Sequence, residues 1–336
     1  MRVLYIYRNP KMGFSIGKVF RPIEKAMREK CDVDSIEMPC YGYGIKSLYK
    51  NIQYVRNVLK KKHYDIVHIT GTEHYLLPFV RKYKTVVTVH DLGFYTNHKK
   101  NVHGWMKYCS FILPLKMASI VAFISEKSKD EALDIVSLGN YCVVPDCYSP
   151  DILYFDKQYS NPPIILHVGT GPNKNLNRVV EALGGLNVHL RIIGPLKAQL
   201  KDKMEGLGIS YSQRQNLSDE DIAKEYMACD IVSFPSLTEG FGMPIVEGQA
   251  AGKIVVTSDL RPMNVIAGDK AILVNPWEIS SIRKGFEKAL KRPKDIIESG
   301  IENAENYSAD SVMNIDRKST RLNSSHVKRS RMPSSA

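Results

Sequence analysis

The chain has 336 residues, of which 43% are hydrophobic and 24% charged, as in an ordinary globular protein of about two domains. This composition excludes a collagen, a coiled coil and a wholly disordered chain, and no apolar stretch approaches the roughly 18 residues that span a bilayer. The net charge of +12 is uneven, because residues 1–150 carry +10, residues 151–316 carry −4 and residues 317–336 carry +6. A basic first half favours an anionic partner: nucleic acid, a membrane surface or a phosphorylated substrate.

Six cysteines are scattered along the chain, and no two of them form a C-x-x-C pair. This spacing argues against a zinc site and against the disulfide framework of a secreted protein. The first seven residues are too short for the apolar core of a signal peptide. We therefore expect a cytoplasmic protein with reduced thiols, and neither a metal nor another cofactor is predicted.

Short runs rich in valine and isoleucine alternate with helix-length stretches along the chain. The runs are Val3–Tyr7, Ile66–Ile69, Val86–Val89, Ile120–Ile124, Tyr141–Val144, Ile164–Val168, Leu190–Ile193, Ile231–Phe234, Ile254–Val256 and Ala271–Val274. The helix-length stretches are 47–62, 126–137, 175–183, 218–228 and 278–291. Continuous apolar runs are typical of strands buried on both faces, and alternation with helices indicates parallel sheets. Ten strands predict two sheets of five.

A proline-rich stretch from Pro145 to Pro163 separates the two groups of strands, as a linker does. The predicted fold class is α/β, with two Rossmann-like, doubly wound domains facing each other across a cleft. The domains are assigned to residues 1–150 and 151–316. Residues 317–336 are rich in Ser, Arg and Lys, and are predicted to be a disordered tail that resembles translated vector sequence; the alternative is a basic arm for RNA or a membrane. In such folds, ligands bind outside the carboxyl ends of the strands.

The segment 236–247 follows a predicted strand and carries the strongest candidate site. Gly240 and Gly242 permit a tight turn and a close approach of a ligand to the backbone. Pro244 fits the first position of a helix, and the free N–H groups of the helix start form a site for a phosphate or diphosphate. Glu239 lies in the loop, and Glu247 is placed in the first turn of the helix. The alternative is a helix-capping turn without a ligand.

This segment resembles the E-x7-E signature of retaining glycosyltransferases of the two-Rossmann-domain (GT-B) type, in particular family 4. Further matching positions follow in order: Cys229-Asp230, Ser236, Ala251-Gly252, Val255-Val256 and Ser258. The resemblance covers roughly residues 1–316. It implies that Glu239 contacts hydroxyls of the donor sugar and that Glu247 binds the ribose hydroxyls of the nucleotide. It also implies that the loop residues Gly240, Phe241, Gly242 and Met243 hold the sugar and phosphate.

A second loop, residues 167–176, follows the first predicted strand of the second domain. Alone it is a weak signal, because only Gly169 and Gly171 fit a dinucleotide fingerprint. The resemblance assigns Lys174 to the donor diphosphate, and it puts Thr170 at a position where the family usually carries Arg. An exposed lysine is the alternative for Lys174, and His167 is interpreted as a core histidine. The resemblance places the base of the nucleotide near Asn216 and Leu217.

His90 and Asp91 end a strand of the first domain. The resemblance assigns to His90 a hydrogen bond with the donor sugar near the point of transfer; the alternative is a histidine that only caps the strand. A loop containing His68 and Thr72 is an acceptor candidate or a plain turn. Gly13 and Gly17 loosely resemble the family's glycine loop near phosphate and acceptor.

The resemblance implies an enzyme that moves a sugar, with retention, from a UDP- or GDP-linked donor to a hydroxyl of a glycan or lipid-linked acceptor in cell-surface polysaccharide synthesis. The basic stretch 46–63 has apolar residues at helical spacing, so it predicts either a packed helix or peripheral contact with anionic lipid at the inner face of the membrane. Two alternatives remain open: a nucleotide-sugar epimerase on the same fold, and a basic nucleic-acid-binding protein. Nucleic acid is not the predicted partner, because no recognition motif is present.

Overall fold

The computed structural model describes residues 1–12, 15–92 and 102–315. These residues form two compact units, Met1–Cys147 together with residues 309–315, and Tyr148–Ser308. Each unit contains a six-stranded sheet in which every neighbouring pair of strands is parallel. Parallel strands require crossover connections, and helices make most of them.

The sheet of the first unit has the order β2-β1-β3-β4-β5-β6. Its strands are β1 (Arg2–Tyr7), β2 (Asp32–Glu37), β3 (Ile66–Ile69), β4 (Lys84–Val89), β5 (Ile120–Phe123) and β6 (Tyr141–Val143). The helices of this unit are Ser15–Arg28, Ile45–Lys61, Leu77–Val80, Val102–Lys107, Glu126–Leu133 and 309–315. The strand order reverses between β1 and β3, so the loops after these two strands flank the topological switch point, where ligands bind in such sheets.

The sheet of the second unit has the order β12-β11-β10-β7-β8-β9, the Rossmann order read from its other edge. Its strands are β7 (Ile164–Val168), β8 (His189–Ile193), β9 (Ser210–Arg214), β10 (Ile231–Phe234), β11 (Ile254–Ser258) and β12 (Ile272–Val274). The helices are Leu176–Leu183, Ala198–Gly206, Asp219–Ala228, Met243–Ala250, Met263–Ala267, Ile279–Leu290 and Lys294–Glu305. The switch point lies between β7 and β10.

The prediction of five strands in each sheet is wrong, because β2 and β9 were missed. Both are edge strands with mostly half-buried or exposed residues, and their sequences, DVDSIE and SYSQR, contain no continuous apolar run. The criterion of continuous apolar runs finds strands buried on both faces, whereas an edge strand is covered incompletely. The other ten strands match the predicted runs within two residues at each end.

Close packing of one helix on the second sheet holds the candidate site in place. A Cβ added to Gly248 would lie 2.9 Å from the side chains of Val232 in β10 and Val255 in β11. The helix Met243–Ala250 therefore rests directly on these strands, at a distance that only a glycine permits. Residues 244–250 are all buried, so this helix belongs to the core and its first residue has a fixed position beside β10.

Candidate functional site

Two loops meet at the switch point of the second unit. Residues 169–175 follow β7, and residues 235–242 follow β10. The Leu237 N–H donates to the Asn173 carbonyl at 2.8 Å, and the Asn173 side-chain amide donates to the Thr238 carbonyl at 3.2 Å. The two loops that the sequence singled out are thus joined by one main-chain and one side-chain hydrogen bond at the carboxyl ends of adjacent strands.

Lys174 and Glu239 form an ion pair between these loops. The Lys174 Nζ lies 2.6 Å from Glu239 Oε1, and the Asn173 side-chain amide donates to the same oxygen at 3.1 Å. The Lys174 ammonium also lies 4.6 Å from the centroid of the Phe234 ring. The side chains are 22% and 14% exposed, so a charge on either is screened by water less than a surface charge is. The structure therefore brings together two predicted site residues that are 65 positions apart.

Asn175 anchors both loops, and its role was missed in the sequence. It is buried in the left-handed conformation with φ of 62°, and its side-chain amide donates to the carbonyls of Pro235 at 3.0 Å and Pro276 at 2.7 Å. Asparagine adopts this conformation more readily than most residues with a Cβ. Asn175 therefore fixes the position of Lys174, its neighbour in the chain.

The turn that opens the helix Met243–Ala250 contains Gly240, Phe241 and Gly242. Gly242 has φ of 125°, which side chains rarely allow, and it directly precedes the helix. Phe241 is buried and packs edge-to-face on the Tyr307 ring, with centroids 5.7 Å apart. The turn thus places the positive end of an eight-residue helix four residues after Glu239, as expected for a site that receives an anion. Pro244 has no N–H, and the Ile245 N–H donates to the Gly242 carbonyl at 2.9 Å.

Two details of this helix differ from the sequence prediction. The helix begins at Met243, so Pro244 is its second residue and Glu247 its fifth, in the second turn rather than the first. Glu247 is 3% exposed, and its charge together with burial raises the pKa of the neighbouring Tyr226 hydroxyl well above its ordinary value. Glu247 lies in the second turn because the helix starts one residue earlier than predicted, at Met243, directly after Gly242.

The remaining predicted donor residues lie farther along the same edge of the sheet. Thr170 follows β7 and packs on Gly194, where an added Cβ would lie 3.0 Å from Thr170 Cγ2. Asn216 is exposed with φ of 54°, and half-buried Leu217 follows it. Both come after β9, which is two strands from β7. His167 is fully buried and its Nδ1 lies 3.1 Å from the Ser233 hydroxyl, which confirms it as a core histidine.

The predicted histidines of the first unit occupy two different environments. His68 is buried, with its Nε2 2.9 Å from the Thr88 hydroxyl, and burial lowers its pKa to about 3, so the ring is neutral at pH 7. His90 follows β4 and is partly exposed; its Nε2 lies 2.9 Å from the Thr70 carbonyl, and its Nδ1 lies 3.9 Å from an Asp146 carboxylate oxygen. The Phe20 ring packs edge-on against both imidazoles.

The other candidates of this unit surround its switch point. The Tyr43 hydroxyl donates to the Thr72 hydroxyl at 2.9 Å, in the loop after β3. Glu73 of the same loop is 2% exposed, and burial raises the pKa of its carboxyl to about 7. Gly17 is the third residue of the helix Ser15–Arg28, with open space where a Cβ would lie, and Gly13 is outside the described residues. The raised pKa of Glu73 suits a carboxyl that exchanges protons near neutral pH.

The buried carboxyl of Asp146 should make the stability of the protein depend on pH. Burial raises the pKa of its carboxyl from 3.8 to about 6, against a smaller lowering by His90. The unfolded carboxyl therefore loses its proton at a lower pH than the folded one, and stability falls as pH rises from about 4 to 6. Asp146→Asn is expected to remove this fall and to raise the free energy of unfolding at pH 7 by about 2–3 kcal/mol. Urea titrations from pH 4 to pH 8 measure it.

The exposed residue Asp134 is the control, because Asp134→Asn removes a carboxylate that water already solvates. It should leave the slope of stability with pH unchanged. An Asp146→Asn variant with the wild-type slope would contradict the prediction.

Two Asp-x-Asp pairs, a pattern of carboxylates that can bind a divalent cation, occur in the chain outside the loops of Lys174 and Glu239. Asp32 and Asp34 lie on the edge strand β2, where Asp34 is paired with Lys62 at 3.0 Å. Asp219 and Asp221 lie in the first turn of a helix. Across the three described ranges, no group of three or more His, Cys, Asp or Glu side chains is placed to hold a metal ion.

Residues 154–307, almost the whole second unit, match the family model of glycosyl transferases group 1. This unit is therefore similar to the group 1 glycosyltransferases. The resemblance drawn from the E-x7-E segment is thereby confirmed. The match includes both loops of the Lys174–Glu239 pair.

Two curated relatives of this chain come from Escherichia coli. The serotype-specific mannosyltransferase WbdA is 27% identical over 233 residues, which are 65% of this chain and 28% of the relative. The O-antigen chain mannosyltransferase B is 24% identical over 237 residues, 62% of this chain and 61% of the relative. The aligned part thus spans less than a third of the length of WbdA.

A solved structure shares the fold of this chain. Anabaena HepE in complex with UDP and glucose superposes with a TM-score of 0.73 at 16% identity, over 97% of this chain and 100% of that chain. The predicted class of two Rossmann-like domains, the GT-B fold, is confirmed. Among the helices of the described ranges, none combines the length and apolarity that crossing a bilayer requires.

Proposed function

We propose that this chain is a retaining glycosyltransferase that moves a sugar from a nucleotide-sugar donor to a hydroxyl of a glycan or lipid-linked acceptor. The observation that carries the proposal is the Lys174–Glu239 pair at the switch point of the second unit, beside the helix turn at Gly242. A cation, a carboxylate and the positive end of a helix are the chemistry that a sugar diphosphate needs at one place. The match to the family model and the mannosyltransferase relatives support the same reading.

In the proposed reaction, the bond between the anomeric carbon and the diphosphate oxygen breaks while the acceptor oxygen bonds to that carbon on the same face. The acceptor proton passes to a phosphate oxygen of the departing diphosphate, so no side chain has to form a covalent bond. The main task of the protein is to stabilise negative charge that develops on the leaving group. Glu239 is proposed to position the donor sugar through its hydroxyls.

Lys174 is proposed to carry most of that stabilisation. Thr170 stands where the family usually has Arg, so the guanidinium fork is replaced by one ammonium point charge. In the structure this ammonium is held by Glu239 at 2.6 Å. A bound diphosphate would share this ammonium with Glu239, and the positive end of the dipole of the helix Met243–Ala250 would add to the stabilisation.

The division of labour between the units is also part of the proposal. We assign the donor to residues 151–316, with the base near Asn216 and Leu217 and the ribose at Glu247, and the acceptor to residues 1–150. His90 is assigned to the donor sugar near the point of transfer, and His68 and Thr72 to the acceptor side. The hydrogen bond of His90 to the Thr70 carbonyl supports its role, because it fixes the ring orientation.

Calorimetric titration with UDP- and GDP-sugars tests the proposal. We expect selective binding of one nucleotide class, and we expect Glu247→Gln to weaken it at least tenfold, because a neutral amide accepts weaker hydrogen bonds from ribose hydroxyls than a carboxylate does. UDP is the first choice, since HepE was solved with UDP and glucose. The relatives WbdA and O-antigen chain mannosyltransferase B favour mannose as the sugar.

Glu220→Gln is the matched control, because Glu220 is exposed on the helix Asp219–Ala228. It should bind donor as the wild type does. A folded wild-type protein that binds no nucleotide sugar would contradict the proposed function. Conversion of a donor to its epimer without an acceptor would favour the epimerase alternative.

Peripheral contact with an anionic membrane, at the cytoplasmic face, completes the proposal. The helix Ile45–Lys61 buries Val55 and Leu59 but leaves Ile45 87% and Tyr49 63% exposed beside several lysines. Exposed apolar side chains flanked by cations suit a lipid interface. Sedimentation with anionic vesicles should recover the protein, and Ile45→Ser with Tyr49→Ser should reduce the bound fraction severalfold. Equal binding to neutral vesicles would contradict a role for the charge.

A further inference from the structure

The second unit has a cavity of about 450 Å³ at the edge of its sheet opposite the Lys174–Glu239 pair. Cys229 and Asp230 come immediately before β10, and Lys253 comes immediately before β11, so the cavity lies at the amino ends of these strands. The segment 154–159 and residues 292–294 complete its wall. We call it the amino-edge cavity. Nothing in the proposed transfer reaction uses it.

Lys253 is the decisive residue of this cavity. It is only 6% exposed, and within the described ranges 1–12, 15–92 and 102–315 it has neither a hydrogen bond nor an ion pair for its ammonium. Burial lowers its pKa. Asp230 and Asp156 act on this ammonium only at longer range, and they oppose the lowering of its pKa in part. A largely buried lysine that has no direct ion pair favours an anion in the cavity that it lines.

The nearby Lys157 shows the contrasting case of a satisfied lysine. Its ammonium lies 2.8 Å from an Asp230 carboxylate oxygen and donates to the Ala228 carbonyl at 2.7 Å. The Asp230 carboxylate also accepts from the Ile164 N–H at 2.7 Å. The direct contacts of Asp230 are therefore with Lys157 and the main chain, and its carboxylate acts on Lys253 only at longer range.

Two further cations line the amino-edge cavity. The Arg292 guanidinium stacks on the Tyr159 ring, 3.5 Å from its centroid, which keeps the N–H groups at its edge available. Lys294 begins the last helix of the unit. With Asp156 as the remaining carboxylate of the wall, the cations exceed the anions by two charges. This excess matches a phosphate monoester, which carries nearly two negative charges at pH 7.

We propose that the amino-edge cavity binds the phosphate group of a small phosphate ester, held by Lys253 and Arg292. The rest of the ligand would lie against Tyr154 and Phe155, which line the cavity and are 55% and 61% exposed. The Tyr154 ring packs closely on Gly252, which has φ of 68°, because a Cβ added there would lie 2.4 Å from the ring. Flat rings suit the apolar face of a sugar or a base. This would be a second ligand site on the opposite edge of the sheet from the donor.

Calorimetric titration of the full chain with inorganic phosphate tests the site. We expect saturable binding that Lys253→Met weakens at least tenfold, the loss that corresponds to one charge-assisted hydrogen bond. Lys284→Met is the matched control, since Lys284 is exposed on the helix Ile279–Leu290, and it should bind as the wild type does. Arg292 is exposed, and Arg292→Gln should also weaken the binding of phosphate.

Lys174→Met separates this site from the donor site, and its phosphate affinity should equal that of the wild type. Loss of binding in Lys174→Met but not in Lys253→Met would overturn the proposal, as would the absence of saturable binding in the wild type. Glucose 6-phosphate should bind more tightly than inorganic phosphate, and Phe155→Ala should remove only that gain. Equal affinity for both would overturn the assignment of a ring-bearing ester and leave phosphate alone as the ligand.

Discussion

Lys174→Met is expected to lower kcat/KM for release of the nucleoside diphosphate by about 100- to 1000-fold, the usual effect of removing one group that stabilises developing charge. The ammonium lies 2.6 Å from Glu239, and methionine keeps an aliphatic side chain against Gly169, where an added Cβ would lie 3.1 Å from Lys174 Cγ. The loss therefore reports charge rather than shape. Steady-state assays with the donor identified by calorimetry measure it.

The Lys174 variant needs two comparisons. Lys284→Met removes an exposed lysine of the same unit and should leave the rate unchanged. The double variant with Glu239→Gln should lose less than the product of the two single losses, because each single change leaves the partner charge uncompensated in a half-buried site. Full activity of Lys174→Met would contradict the proposed role of this lysine.

Asn175→Ala is expected to lower the free energy of unfolding of the second unit by about 3–5 kcal/mol. The change leaves the buried carbonyls of Pro235 and Pro276 without their donor, at about 1–3 kcal/mol each, and places alanine in the left-handed region at about 1–2 kcal/mol. Urea denaturation followed by tryptophan fluorescence measures it, since Trp277 lies next to Pro276.

Two variants divide the effect of Asn175 into its parts. Asn216→Ala changes another left-handed asparagine, with φ of 54°, that is exposed, so it should cost only about 1 kcal/mol. Asn175→Gly relieves the backbone but still removes the side-chain amide, so it should recover only the conformational part. If Asn175→Ala cost no more than Asn216→Ala, the two buried hydrogen bonds would contribute nothing to stability.

The interior strands were predictable because their pattern is local. Val, Ile and Leu in unbroken runs report burial on both faces, and runs such as Ile164–Val168 and Ile231–Phe234 became strands as predicted. The edge strands β2 and β9 were not predictable in this way, because their burial depends on which neighbours the topology supplies. The error at Glu247 has a local cause: Met243 is already helical, so Glu247 lies in the second helical turn instead of the first.

The sequence by itself determined the alternation of strands and helices, the family resemblance of the 236–247 segment and the positions of Lys174 and Glu239 at strand ends. Only the tertiary structure decided that these two side chains form an ion pair, because adjacency of β7 and β10 is set by the sheet order. It alone showed that Asn175 joins both loops and that Lys253 is largely buried in the wall of a cavity without a direct ion pair. Burial and pairing are properties of residues far apart in the chain, and a local pattern carries no record of them.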